Sequence, residues 1–222
     1  MLKLEHIHKA YTKPIFEDLS IEFAEQEITC ILGPSGVGKT TLLRMIAGLT
    51  DYQGNIYKDK EIAFIFQENR LIPTLSVLEN LKLVCPMVSL EQIDEVLNQF
   101  GILDKKNQYP SELSGGEQKR VSMARAFLYD APLILMDEPF VSLDLPLKYH
   151  LIQYFTKLWK ENKKTVLFVT HDLDEALLLA HKILILKDGQ IQASFTIEDE
   201  LPRKLTEYTE LRNKILGHLL EE

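Results

Sequence analysis

The sequence predicts an α/β fold: a mostly parallel core sheet, an antiparallel β-subdomain at the N-terminus, and a helical insertion between two halves of the core. Three observations predict it. A short apolar run at 28–32 meets a glycine-rich segment and then a helical pattern, the strand–turn–helix order of an α/β unit. Apolar runs alternate with helical periods again over 133–186, which implies right-handed crossovers and parallel strands. Between these halves, over 76–129, strand character vanishes and helical periods alone remain.

Taken in order, Leu2, Leu4 and Ile7 read as an early edge strand, and 28–32 as a buried one. Residues 40–49 form a helix closed by Gly48. Residues 55–57 and 62–66 flank the polar run Lys58-Asp59-Lys60-Glu61 and predict a hairpin that continues the first strands. Helical periods follow at 77–84, 90–100 and 117–128. The second half supplies strands at 133–136, 166–169 and 183–186, with helices at 147–159 and 173–180 between them. Lys187-Asp188-Gly189-Gln190 is a tight hairpin turn. The tail over 198–220 reads as an amphipathic helix whose Leu205, Tyr208, Leu211 and Ile215 pack on its own domain. One domain therefore covers 1–222, with 1–67 and 131–222 as the core plus β-subdomain and about 68–130 as the helical subdomain.

A chain of 222 residues buries a sizeable core without disulfides or metals. Its 45% hydrophobic and 26% charged residues exclude the disordered and fibrous classes. A formal charge of -8 argues against a nucleic-acid partner, because affinity for phosphate backbones rests on Lys and Arg. Cys30 and Cys85 stand in no metal-binding spacing and read as free thiols of a reducing compartment. The start, Met-Leu-Lys-Leu-Glu-His, lacks a signal-peptide core, and no apolar run reaches the roughly 18 to 20 residues that span a bilayer. Any service to a membrane is peripheral.

Gly33-Pro34-Ser35-Gly36-Val37-Gly38-Lys39-Thr40, followed by Thr41, matches G-x-x-x-x-G-K-[ST] directly after a strand and before a helix. Chance produces this pattern in about one chain of this length in a hundred at average residue usage, and the correct flanks reduce that further. Successive backbone N–H groups can wrap phosphate oxygens there, with the helix N-terminus adding positive potential. Lys39 then reaches the β- and γ-phosphates of ATP, and the Thr40 hydroxyl ligates Mg²⁺. The expected fold is that of a P-loop NTPase.

The strand at 133–136 ends in adjacent carboxylates, Asp137 and Glu138, which alternation along a strand points in different directions. Asp137 suits the shell of Mg²⁺, and Glu138 suits polarising an attacking water. On its own such a pair is commonly a strand meeting a solvated loop; downstream of a phosphate loop it gains chemical meaning.

Leu113-Ser114-Gly115-Gly116-Glu117-Gln118 places a Ser and two glycines at a helix start, a second anion cradle without a lysine of its own. A capped helix start explains Ser114 and Glu117 but not the paired glycines. Here the chain resembles the ABC (ATP-binding cassette) ATPase family over nearly its whole length, because that family's other motifs appear in order. The resemblance implies that Tyr11 stacks on adenine, that Gln67 senses Mg²⁺ and couples the helical insertion to the core, and that Ser142-Leu143-Asp144 crosses to a partner subunit. It implies that His171 is the switch histidine at the γ-phosphate. It also implies a head-to-tail homodimer in which Ser114, Gly115, Gly116, Glu117 and Gln118 complete the ATP site of the other copy.

The same resemblance implies integral-membrane permease partners, docked in a groove lined by 67–83, and an external solute-binding protein reached indirectly, with the chain on the cytoplasmic face of the membrane. The segments 137–144 and 170–181 are similar to importers of the nitrate, sulfonate and taurine group and of thiamine-pyrimidine precursors, although Thr74 stands where that group often has tryptophan. An exporter or lipoprotein-release ATPase, and a soluble ABC protein, keep the same catalytic motifs. The tail after Asp188 is too short for the regulatory barrel of sugar-importer ATPases.

Overall fold

The computed structural model describes residues 2–59, 61–141 and 143–220. Strands β1 (Leu2–Ala10), β2 (Pro14–Phe23) and β4 (Gln53–Tyr57) form an antiparallel sheet in the order β2-β1-β4. Strand β1 is therefore the middle strand and not an edge. The alternation of both strands is broken once: Leu2 and Leu4 of β1 lose phase with Ile7, and Phe16 of β2 with Leu19, Ile21 and Phe23. The register between β1 and β2 slips between Leu4 and Ile7, at His6 (φ 52°), and again between Ile7 and His8, opposite Asp18 (φ 106°), and both residues take positive φ.

The second sheet has six strands in the order β5-β6-β7-β3-β8-β9. Strands β3 (Ile28–Leu32), β5 (Ile62–Ile65), β6 (Leu133–Asp137), β7 (Thr165–Thr170) and β8 (Lys182–Lys187) run parallel, and β9 (Gln190–Thr196) returns antiparallel to β8. The hairpin expected from 55–57 and 62–66 does not form. Strand β4 pairs with β1, whereas β5 pairs in parallel with β6, so the polar residues between them lead from one sheet to the other. Composition carries the reason: Ile62-Ala63-Phe64-Ile65 is apolar on both faces, as a covered parallel strand requires, while β4 is largely exposed.

Alternation along the parallel strands divides the core in two. Leu133, Leu135, Leu167, Val169, Leu184 and Leu186 face helix α1 (Lys39–Ile46) and the three-stranded sheet. Ile134, Met136, Val166, Phe168, Ile183 and Ile185 face the remaining helices. These are α2 (Val77–Val84), α3 (Leu90–Gln99) and α4 (Gly115–Leu128) of the insertion, then α5 (Leu145–Glu161), α6 (Leu173–Leu179) and α7 (Thr209–Leu220). Ser76, Ser89 and Ser114 open α2, α3 and α4 with capping boxes, each closed by Glu or Gln three residues on. Asp188 and Gly189 both take positive φ in the β8–β9 turn, as a tight hairpin demands.

The tail is helical only from Thr209, apart from one 3₁₀ turn at Leu205–Glu207. The buried Arg203 guanidinium donates to the carbonyls of Leu177 and Ala180 at the end of α6 and to those of Ile197 and Asp199, and so pins the non-helical segment after β9 to α6. Tyr208 and Ile215 are nonetheless buried in the main core. Both cysteines are free and buried. Among the described residues no helix is long and apolar enough to cross a membrane.

Candidate nucleotide-binding site

Strand β3 is hydrogen-bonded on both sides, to β7 and β8, so the loop at its carboxyl end leaves from the middle of the sheet. In open α/β sheets this edge is where ligands bind. Gly33 lies against the Leu186 carbonyl, which a side chain would strike. Gly38 caps α1 with φ 108°, and an added Cβ would stand 2.5 Å from Ile15 Cγ2 and 2.9 Å from Phe16 Cζ. Pro34, Ser35 and Gly36 are exposed and Val37 is half-buried, leaving the loop backbone open to a ligand.

Lys39 is 5% exposed, and its ammonium donates to the carbonyls of Gly33 (2.7 Å) and Pro34 (2.8 Å). Burial lowers its pKa, and the carboxylates of Glu138 and Asp137 oppose that shift. The Thr40 hydroxyl donates to Asp137 Oδ1 at 2.8 Å. Burial raises the Asp137 pKa, opposed by the Thr40 bond. Thr41 is half-buried in the same helical turn.

Glu138 directly follows β6 and takes a left-handed backbone (φ 43°), a conformation that costs a non-glycine residue about 1–3 kcal/mol. Its N–H donates to the Val169 carbonyl (3.0 Å), which ties the strained residue to β7. Its carboxylate oxygen Oε1 lies 3.2 Å from Nδ1 of His171, a residue just beyond β7 whose ring is half-exposed. The two neighbouring carboxylates thus face different partners, Asp137 toward Thr40 and Glu138 toward His171.

Other expected residues stand apart from this group. Gln67 follows β5 with its side chain exposed; Ile65 pairs with Met136, so Gln67 lies at the same carboxyl edge as Asp137 and Glu138. Tyr11 is 60% exposed in the β1–β2 turn, with the Lys9 ammonium 4.6 Å above its ring. Asp144 caps α5 by accepting from Leu147 N–H (2.9 Å). Ser142 lies outside the described residues.

Ser114 opens α4: its Oγ accepts from Glu117 N–H (3.3 Å), and Glu117 Oε2 accepts from Ser114 N–H (2.8 Å), a bond that lowers the Glu117 pKa. Gly115 has open space where a side chain would be. Gln118 turns inward, its amide donating to the carbonyls of Pro110 (2.9 Å) and Leu113 (3.3 Å). Its side chain therefore holds the turn that precedes the helix.

Sequence reasoning missed Lys119. It is 3% exposed, burial depresses its pKa to about 8, and its ammonium donates to the carbonyls of Phe66 (2.8 Å) and Gln67 (3.3 Å). Arg125 likewise holds the carbonyls of Asn69 and Arg70. The signal was present: Lys119 begins an i, i+3, i+4, i+7 stripe with Ser122, Met123 and Ala126, the buried face of α4. Lys148, Asp172 and Glu175 were missed as well, because their pairing joins elements far apart in sequence.

Among the described residues no group of three or more His, Cys, Asp and Glu side chains could hold a metal. The Thr40 hydroxyl and Asp137 carboxylate instead offer an all-oxygen pair at the mouth of the phosphate loop, a donor set that fits Mg²⁺ shared with substrate phosphates. Peptide amides, a buried ammonium and paired carboxylates converge where parallel strands end, and the class that follows is an α/β ATPase of the phosphate-loop type.

Comparison with known proteins narrows the class. Residues 16–141 match the family model described as "ABC transporter". The chain is 36% identical over 213 residues to an aliphatic sulfonates import ATP-binding protein, SsuB 1, of Paracoccus denitrificans, covering 93% of this chain and 88% of that protein. It is 38% identical over 224 residues to SsuB of Bacillus licheniformis, again covering 93% and 88%. The ATP-binding cassette MJ0796, solved as a post-hydrolysis dimer with ADP and Pi, superposes with a TM-score of 0.81 at 31% identity, covering 90% of this chain and all of that one. The chain belongs to the ABC transporter family, and it is an ATP-binding, ATP-hydrolysing subunit.

Proposed function

We propose that this subunit powers uptake of a small organic anion of the sulfonate class, working as a homodimer on the cytoplasmic face of a membrane and bound there to integral-membrane permease subunits. The observation that carries the catalytic part is the meeting of Lys39, Thr40–Asp137 and Glu138–His171 along one sheet edge. The import part rests on the sulfonate import proteins it resembles. An external solute-binding protein selects the cargo and acts through the permease.

The amides of residues 33–41 cradle the phosphates of ATP, and Lys39 exchanges its loop carbonyls for β- and γ-phosphate oxygens. Thr40, Asp137 and Gln67 are the residues that would hold Mg²⁺, which neutralises charge building on the phosphates. Glu138 accepts a proton from the attacking water, and His171 contacts the γ-phosphate and keeps the carboxylate aimed. Tyr11 stacks on the adenine. Asp144 of the dimer loop faces the partner subunit. The amides at Ser114, Gly115 and Gly116 face the γ-phosphate bound by the other copy, a placement supported by the open side of Gly115. Glu117 and Gln118 hold that helix start in shape.

We take about 68–130 as the helical subdomain, with Lys119 and Arg125 clamping the 66–70 loop onto it. Ile72, Leu83, Val84 and Met87 are exposed there and suit an apolar permease segment. The decisive test is Glu138→Gln. ATP binding should persist, turnover should fall about 10²-fold or more, and an ATP-bound dimer should accumulate; parental turnover removes Glu138 from its role.

A further inference from the structure

The His171 ring is half-exposed, so packing does not fix it, and its aim depends on the two residues beside it. Both are fastened. The buried Thr170 hydroxyl donates to Glu175 Oε2 at 2.7 Å and accepts from Asp172 N–H at 3.0 Å. Asp172 Oδ1 in turn caps α6, accepting from the N–H of Asp174 at 2.8 Å. Into this turn reaches one ammonium from another element: Lys148 Nζ lies 2.6 Å from Asp172 Oδ2 and 2.8 Å from Glu175 Oε1. Glu175 is 2% exposed, so its carboxylate depends on these partners.

Lys148 belongs to the first turn of α5, the helix capped by Asp144. The same turn carries Leu147, whose Cδ2 would stand 3.0 Å from a Cβ added at Gly116, so it also bears on the start of α4. One helical turn thus adjoins the 143–144 segment, Gly116 and the histidine turn.

We propose that Lys148 is a positioning residue for hydrolysis: it fastens the first turn of α5 to Asp172 directly and to Thr170 through Glu175, and so sets the His171 ring against Glu138. The inference rests on the roles given above to Glu138, His171 and Asp144. A dimer loop displaced in one subunit then moves the histidine of that subunit, and turnover responds far more than ATP affinity.

The test compares Lys148→Met with the parent in kcat, KM and equilibrium ATP binding, at temperatures well below each variant's melting point. The expected result is a kcat lower by about tenfold or more with ATP affinity held within about twofold, since small misplacements of reacting groups fall on the chemical step. Because this change leaves Glu175 buried without its ammonium, Lys148→Met/Glu175→Gln is measured beside it, and kcat should stay low while the melting point recovers. A kcat that recovers together with the melting point, or Lys148→Met turning over like the parent, overturns the proposal. Glu138→Gln and His171→Ala run in parallel: if these keep parental turnover the reading of the site fails, whatever Lys148 does.

Discussion

The Thr40 hydroxyl donates to Asp137 Oδ1 across 2.8 Å, joining the start of helix α1 to the end of strand β6. Asp137 is held in place, being 3% exposed at the end of a strand paired on both sides.

Asp137→Asn keeps the shape and the hydrogen-bond acceptor but removes the charge. Binding of metal-free ATP should be unchanged, while the gain in affinity on adding Mg²⁺ shrinks and turnover falls about 10²-fold. Titrations of ATP with and without Mg²⁺, read beside steady-state rates, check this.

Two glycines of the phosphate loop should respond unequally to alanine. Gly36 (φ 83°) has open space around it, so Gly36→Ala meets backbone strain alone. Gly38→Ala meets strain and collides with Ile15 and Phe16. We expect Gly38→Ala to lose about 1–3 kcal/mol of stability and most ATP affinity, and Gly36→Ala to lose less of both. Urea melts and ATP titrations rank the pair.

If each ATP site takes its amides from two copies, defects in different halves should complement. Lys39→Ala removes the buried ammonium of the glycine loop, and Ser114→Arg places a long cationic side chain at the start of α4. Each variant alone should be inactive; mixed, they form a heterodimer with one intact composite site, and ATPase activity should rise well above either parent. Continued inactivity of a mixture shown to contain heterodimer would defeat the shared arrangement.

His181 supplies a prediction about pH. Its Nδ1 accepts from Ile28 N–H at 3.1 Å, its ring lies 4.8 Å from that of Trp159, and burial, with Arg203 and Lys163 nearby, lowers its pKa from 6.5 to about 4. Between those values the unfolded chain takes up a proton that the folded chain refuses. The stability that the neutral His181 ring contributes is therefore fully present above pH 6.5 and is lost as pH falls toward 4. Replacing the ring by His181→Gln removes that proton uptake, so the urea midpoint should fall less between pH 7 and 4.5 than in the parent.

Of the residues that meet at the sheet edge, the glycine loop and the acidic strand end were readable because each is written within a few consecutive positions, whereas His171, a lone histidine after a strand, was singled out only by the order of the family's motifs. Fold elements were legible where apolar period was strong, as in β3, β6, β7 and β8, whose strand cores the sequence marked. Strand β2 was lost because the bulge at Asp18 puts Phe16 out of phase with Leu19 and Phe23. The false hairpin arose because turn chemistry between two strands does not reveal that they join different sheets. Lys119 and Lys148 escaped because a buried lysine is recognised by its carbonyl or carboxylate partners, and those partners lie far along the chain.

Strand β2 bears on more than its own sheet. Ile15 and Phe16 crowd Gly38 of the phosphate loop, and Gly189 in the β8–β9 turn lies against the Ile15 carbonyl with no room for a side chain. The eight-residue loop is thus not a portable peptide. Transplanted into another α/β scaffold without the strand beside it, it would keep its consensus spelling and lose the walls that give it shape. Variant libraries should return joint solutions at positions 15, 38 and 189, and independent changes at any one of them should be rare.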